Sequence, residues 1–314
     1  MTVVDWLLDS DPAIRWQVLR DLLHAPGDQV DAERDRVAHA GWGARLLDLQ
    51  DADGHWSGGT HFPAENHTPG FQPWTATSFT LQQLRQFGVR PADARVRRAI
   101  AKVRDNVRWE YDDLPFFDGE VEPCINGLAT AVGAYFGEDV RSIVARLLAD
   151  QLDDGGWNCE AERGSTRSSF NSTIAVLEGL LEFEQTRGPD PAVTSARERA
   201  HEYLLERRLM RRLSTGEVPV PAWLQFSYPT RWHYDVLRAL DYFRTAEVPR
   251  DDRMGEALEL VESKRQPDGR WLLENTHHGD VHFAMEEGDG MPSRWNTLRA
   301  TRVLEWFNDD VPVP

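Results

Sequence analysis

The chain writes one short phrase three times, and that repeat limits its fold more than any other feature. The copies run from Leu46 to Trp56 through Gln50 and Gly54, from Leu147 to Trp157 through Gln151 and Gly155, and from Gln266 to Trp271 through Gly269. Each has a helical stretch, a Gln, a short acidic turn with Gly, and then Trp. A unit written three times is a structural repeat whose copies bury their apolar faces by stacking. Repetition also gives the Gln and Trp a structural task. Gln bonds the orphan backbone groups at helix ends, and Trp packs over them. One ligand site has no use for three equivalent copies.

Helical periodicity dominates the rest, with Pro and Gly gathered in the connections. Two classes of helix alternate. The first is apolar and rich in small residues, over 11–23, 72–79, 122–132, 168–180, 229–240 and 292–304. Most of these open on a Pro or a Ser/Thr start. The second is charged with one apolar stripe, over 31–50, 91–109, 139–151, 191–208 and 251–266. Six inner helices with outer partners predict an all-α protein, an (α/α)6 toroid formed by residues 1–314 as one domain. The long connections (51–71, 110–121, 152–167, 209–228, 267–291) all lead into inner helices. The inner N-termini are therefore expected to open at one loop-lined mouth, where function would sit.

Composition excludes several classes of partner. The chain has 314 residues and a formal net charge of -17. Phosphate backbones and anionic membrane surfaces would be repelled, so a nucleic-acid partner is not expected. Lys102 and Lys264 are the only lysines, which suggests a GC-rich or salt-adapted source. Cys124 and Cys159 are the only cysteines, too few for a disulfide framework. No apolar run approaches the roughly 18 residues of a membrane span, and the first residues do not read as a signal peptide. A cytoplasmic protein is the expectation.

The Gln-x-x-x-Gly-x-Trp element, preceded by Leu four residues earlier in the first two copies, resembles the QW repeat of squalene–hopene cyclases and of protein prenyltransferase β subunits. The third copy is one residue shorter and has Glu262 in place of that Leu. The resemblance implies a terpenoid-cyclase-like toroid that takes an isoprenoid-type ligand. Two family sites can be sought residue by residue. The acidic cyclase motif that opens an inner helix with Asp-x-Asp-Asp-Thr-Ala corresponds best to Phe71-Gln72-Pro73-Trp74-Thr75-Ala76, which keeps Thr-Ala and no acid. The prenyltransferase zinc pair Asp-x-Cys corresponds to Glu122-Pro123-Cys124. Ser172 stands where the later zinc His is expected. Glu122 and Cys124 alone cannot close a tetrahedral site, so no tightly bound zinc is expected, and no cofactor. Mg²⁺ at clustered carboxylates is the one alternative.

Four other groups carry possible chemistry. Asp112, Asp113 and Glu122 lie in an acidic loop among aromatic residues, where burial could raise a general acid. The plainer reading is a solvated acidic loop. His277, His278 and His282 suit a metal by type, but their spacing matches no known motif. Asn126, Asn171, His233 and Asn296, with Gln17 and Thr75, follow the openings of the inner helices; they form either a polar cavity ring, with His233 as a catalytic candidate, or caps and inter-helix bonds. Arg15, Arg231 and Arg294 each precede a Trp at an inner helix start, and Arg167 lies just before another. Cations at positive helix ends call for compensation. Acidic loops could supply it, or an anionic ligand held with Asn171, Asn296, Trp74, Trp232 and Trp295.

Three functions therefore compete. The first is a cyclase- or prenyltransferase-like protein that binds an apolar or amphiphilic ligand in a central cavity, with or without catalysis. The second is a non-catalytic toroid used as a binding or interaction module. The third is a carbohydrate-active (α/α)6 enzyme with Asp112 or Asp113 and Glu122 as its acid pair.

Overall fold

The computed structural model describes residues 2–64 and 72–308. Phe71, which opens the expected cyclase-motif match, lies outside them. The described residues form thirteen α-helices and one two-stranded sheet, so the all-α class predicted from periodicity is what the structure shows. Two compact units are present. One takes in the described residues up to 31, 204–277 and from 285 on; the other takes in 32–203 and 278–284.

In the first unit, α1 (Val3–Leu8) and α2 (Pro12–Asp21) precede α11 (Val236–Thr245), α12 (Gly255–Ser263) and α13 (Arg294–Asn308). Asp11 caps α2 through the Ala13 N–H, with Pro12 in the first turn. The strands β1 (Trp271–Leu272) and β2 (Pro292–Ser293) pair antiparallel at the entry to α13. The core joins Ile14, Val18, Leu237, Leu240, Phe243, Leu298 and Val303. Here α2, α11 and α13 are the apolar inner class, and α12 buries one stripe, Ala257, Leu258 and Val261.

Among these helices lies a buried ionic cluster. Arg302 bonds Asp21 at 3.1 Å, the Gln17 amide oxygen at 3.0 Å, and both oxygens of Asp241. These arginine contacts hold the buried Asp241 carboxyl far below the usual range in spite of its desolvation.

The second unit contains α4 (Gly41–Asp48), α5 (Thr77–Phe87), α6 (Ala94–Asn106), α7 (Pro123–Phe136), α8 (Arg141–Ala149) and α9 (Phe170–Arg187). Most residues of α5, α7 and α9 are buried. In α6 only the stripe Val96, Ala99, Ile100 and Val103 is buried, as the alternation of inner and outer helices predicts. The remaining two helices, α3 (Gly27–Asp35) and α10 (Pro191–Glu206), run across the boundaries between the units' residue ranges.

Three expected helices differ in their bounds from the sequence reading. The inner helix expected over 72–79 runs over Thr77–Phe87. The outer helix expected over 31–50 is broken into α3, a single 3-10 turn and α4, where Gly41 turns the chain at φ 68°. The inner helix expected from Pro229 begins at Val236. Asp235 caps it by accepting the Arg238 N–H, and Arg231 at φ 55° cannot continue a right-handed helix.

Helices α7 and α9 approach closely. A Cβ on Gly127 would lie 2.6 Å from the Ala175 carbonyl, and one on Gly179 would collide with the Gly127 oxygen. Small residues thus let the two backbones meet directly, which sets the first turns of α7 and α9 side by side.

Candidate thiol and carboxylate centre

The repeated phrase positions the centre. In all three copies the indole N–H of Trp donates to a helix-end carbonyl at 2.7 Å: Trp56 to Leu46, Trp157 to Leu147, Trp271 to Val261. In all three the Trp backbone N–H donates to a buried Thr hydroxyl of the next inner helix, Thr77, Thr173 or Thr297, at 3.0–3.1 Å. Gln50 and Gln151 donate to carbonyls of the turn and of the following outer helix. Gln266 instead donates to the Lys264 carbonyl, as its altered spacing requires.

The second copy therefore fixes residues 157–159 over the first turn of α9. Ser169 caps that helix through the Ser172 N–H, and the Cys159 N–H donates to the Ser172 hydroxyl at 3.2 Å. On α7, Pro123 occupies the first turn and places Cys124 one residue on. Asn126 clamps the incoming loop. Its amide oxygen accepts the Glu120 N–H at 2.7 Å, and its amide nitrogen donates to the Glu120 carbonyl at 2.5 Å. Glu122, the residue before the helix, is held with it.

Three donor atoms converge as a result. The Cys124 and Cys159 sulfurs lie 2.6 Å apart, with one S–H between them. The Cys124 sulfur is 3.5 Å from Glu122 Oε2, and the Cys159 sulfur is 3.3 Å from Ser172 Oγ. The ligand atoms of Glu122, Cys124 and Cys159 all fall within 4.8 Å of one another. Hydrogen bonding with Cys124 and with the Ser172 hydroxyl pulls the Cys159 thiol below its ordinary range. The same contact, with burial, pushes Cys124 well above it. Burial and the nearby Glu122 charge also raise Glu120. Beside Glu122 and Cys124, Cys159 brings a third donor atom to this place from the repeat turn, while Ser172 holds that thiol.

The acidic loop forms a tight turn. Asp112 and Asp113 are exposed, with φ of 58° and 52°, at the tip of a turn closed by the Trp109 N–H to the Leu114 carbonyl. Asp tolerates this left-handed backbone better than most residues, so the pair turns the chain. Glu110 accepts the N–H groups of Thr60, His61 and Phe62, which ties the loop after Trp56 to the acidic loop. Beside it His61 meets Ser78 Oγ at 3.1 Å among Phe79, Trp109 and Phe62, and burial lowers it to about 4.

The expected ligand residues occupy varied places. Arg15 donates to the Ser10 carbonyl at 2.8 Å; Arg294 donates to the Asp9 carbonyl and lies over Trp6. Both cations thus find backbone acceptors just beyond α1. Arg167 is exposed, and Arg231 is buried. Asn296 donates to the Phe226 and Leu272 carbonyls, and Gln17 to the Ala13 carbonyl; both are inter-segment or helical braces. Asn171 is half-buried on α9.

Trp74 is buried and donates to the His278 carbonyl at 2.6 Å. Trp295 stacks on Tyr228 at 4.3 Å. Trp232, partly exposed, stacks on His233, whose other face meets His277 at 3.6 Å. Burial, and secondarily Arg238, hold His233 at about 4. His277 Nε2 lies 3.1 Å from Ser227 Oγ, and Ser227 Oγ donates to Asp235 at 3.0 Å. His282 Nε2 lies 2.9 Å from Thr80 Oγ1.

Sequence reasoning missed Cys159 and His61. The signal for Cys159 was present: it sits two residues after a repeat Trp, where the turn geometry fixes it. No comparable pattern marked His61.

Known proteins offer little beyond this. No family model matches the chain, and no curated protein matches it. Among solved structures it is similar to a type II terpene cyclase, MstE from Scytonema, in complex with its substrate geranylgeranyl dihydroxybenzoate. The identity is 15%, the TM-score 0.43, and the match covers 94% of this chain and 86% of that one. No helix among the described residues is long and apolar enough to cross a membrane.

Proposed function

We propose that this chain is a terpenoid-cyclase- or prenyltransferase-like protein that binds an apolar or amphiphilic, isoprenoid-type ligand and holds a zinc-type cation on Glu122, Cys124 and Cys159. The convergence of three donors carries the reading. Two soft sulfurs and one carboxylate oxygen from separate segments come within 4.8 Å. Such a donor set suits zinc better than Mg²⁺, which takes oxygen ligands. The ligand class rests on the resemblance of the Gln and Trp repeat to the QW repeat of squalene–hopene cyclases and protein prenyltransferase β subunits; the Trp hydrogen bonds of that repeat recur in all three copies.

Three protein ligands leave one position of a tetrahedral ion open, so the bound ion would supply a Lewis acid. The chain's own residues orient the donors. Ser172 keeps the Cys159 sulfur in place, Asn126 fixes the loop carrying Glu122, and Pro123 starts the helix that presents Cys124. These supports resemble the outer shell that orients ligands in metal sites.

Metal analysis of protein purified without chelator tests this. The expected result is one zinc per chain, lost from folded Cys124→Ala and Cys159→Ala. A protein that neither carries zinc nor takes it up on dialysis would overturn the metal centre. Titration with farnesyl diphosphate and farnesol tests the ligand class, and no binding of either would remove it.

A further inference from the structure

The two cysteines have a second chemistry open to them. Their sulfurs lie 2.6 Å apart although 35 residues separate them in sequence. Each is half-buried, so a small oxidant can reach the pair. A covalent S–S bond is about 2.05 Å, so closure needs a shift of only about half an ångström. One partner is on the first turn of α7, and the other is on the loop between the repeat turn and α9. That loop continues through a 3-10 turn and Gly164 at φ 92°.

We infer that Cys124 and Cys159 form a reversible disulfide that switches this centre off. The oxidant is a low-molecular-weight disulfide of the glutathione class. One cysteine thiolate attacks it, forms a mixed disulfide and releases one small thiol. The second cysteine then displaces the other small thiol. In sum, two S–H bonds are lost, one S–S bond forms between Cys124 and Cys159, and the small disulfide is reduced to two thiols. The disulfide stands on the sulfur pair alone. Its consequence, expulsion of the cation by removal of two of three donors, rests on the reading proposed above.

Full-length protein is incubated with oxidised glutathione, once stripped of metal and once loaded with zinc. Intact mass, alkylation of free thiols after denaturation, and zinc release are followed together. The expected product has lost two hydrogens, alkylates at neither cysteine, yields a Cys124–Cys159 linked peptide and reverts with dithiothreitol. Cys124→Ser and Cys159→Ser should each stop at a single glutathione adduct. Loaded protein should release its zinc in step with the loss of thiols. If both thiols of stripped wild type stay free, or if it accumulates a stable glutathione adduct, the switch is wrong. A chain that takes up no zinc yet forms the disulfide sinks the metal reading and leaves the disulfide standing.

Discussion

The indole N–H of Trp157 donates to the carbonyl of Leu147, 2.7 Å away and ten residues back along the chain. That carbonyl is one of the last of α8, which the helix itself cannot satisfy. The Trp157 backbone N–H reaches forward to Thr173 on α9. One residue therefore ties the end of an outer helix to the start of the next inner one. Because Cys159 follows two residues later, the same tie sets the thiol over α9.

Trp157 is fully buried. Its truncation to Ala should cost about 3 to 5 kcal/mol. Thr173→Val keeps the shape and strands the Trp157 N–H, which should cost about 1 to 3 kcal/mol. Denaturant unfolding measures both. A Trp157→Ala protein with unchanged midpoint would contradict the structural role of the repeat.

Gly127→Ala should destabilise by about 1 to 3 kcal/mol through overpacking, because its methyl would meet the Ala175 backbone rather than a movable side chain. Gly137, whose Cβ would meet nothing, serves as the contrast, although its φ of 84° adds its own strain. Zinc uptake should weaken in Gly127→Ala as well, since separating α7 from α9 separates Cys124 from Cys159. An unfolding midpoint equal to wild type would show that the helices do not meet there.

Buried histidines predict a loss of stability in acid. Burial, and secondarily Arg197, lower His201 to about 3. The group is neutral in the folded chain and charges on unfolding near pH 6.5. The unfolded state then binds more protons, so stability from this residue is complete above about pH 6.5 and falls as pH drops toward 3. The slope is about 1.4 kcal/mol per pH unit per group. His61, lowered to about 4, acts in the same direction. His201→Phe should flatten the curve between pH 6 and 4 in urea unfolding (a pH range set by those two values). An unchanged slope would place His201 in contact with water.

The repeat was legible because it obeys local rules. Gln, Gly and Trp at fixed spacing declare helix ends, and the alternation of apolar and striped helices follows from periodicity. Helix starts were read less well. Pro229 looks like a start, yet Asp235 is the cap, because Arg231 takes a left-handed backbone that no composition signal announces. The arginines near inner helix starts were legible as a local charge conflict. Their partners were not, since Asp9 and Ser10 offer backbone carbonyls and leave no trace in side-chain chemistry. Asp112 and Asp113 read as acids, but their backbone angles make them turn residues. Cys159 stayed hidden for a different reason. Its meeting with Cys124 depends on the glycine-mediated contact of α7 with α9, a long-range event that spacing along one segment cannot encode.

Cobalt titration tests the metal centre most directly. Co²⁺ takes the place of zinc and reports its ligands by colour, because thiolates give intense sulfur-to-metal absorption in the near ultraviolet. Wild type should bind one Co²⁺ per chain with that absorption and with visible bands of a four-coordinate site. Cys159→Ser should lose about half of the sulfur band, and Glu122→Gln should keep the band while binding more weakly. A spectrum without sulfur absorption, or one that Cys159→Ser leaves unchanged, would contradict a centre built on Glu122, Cys124 and Cys159.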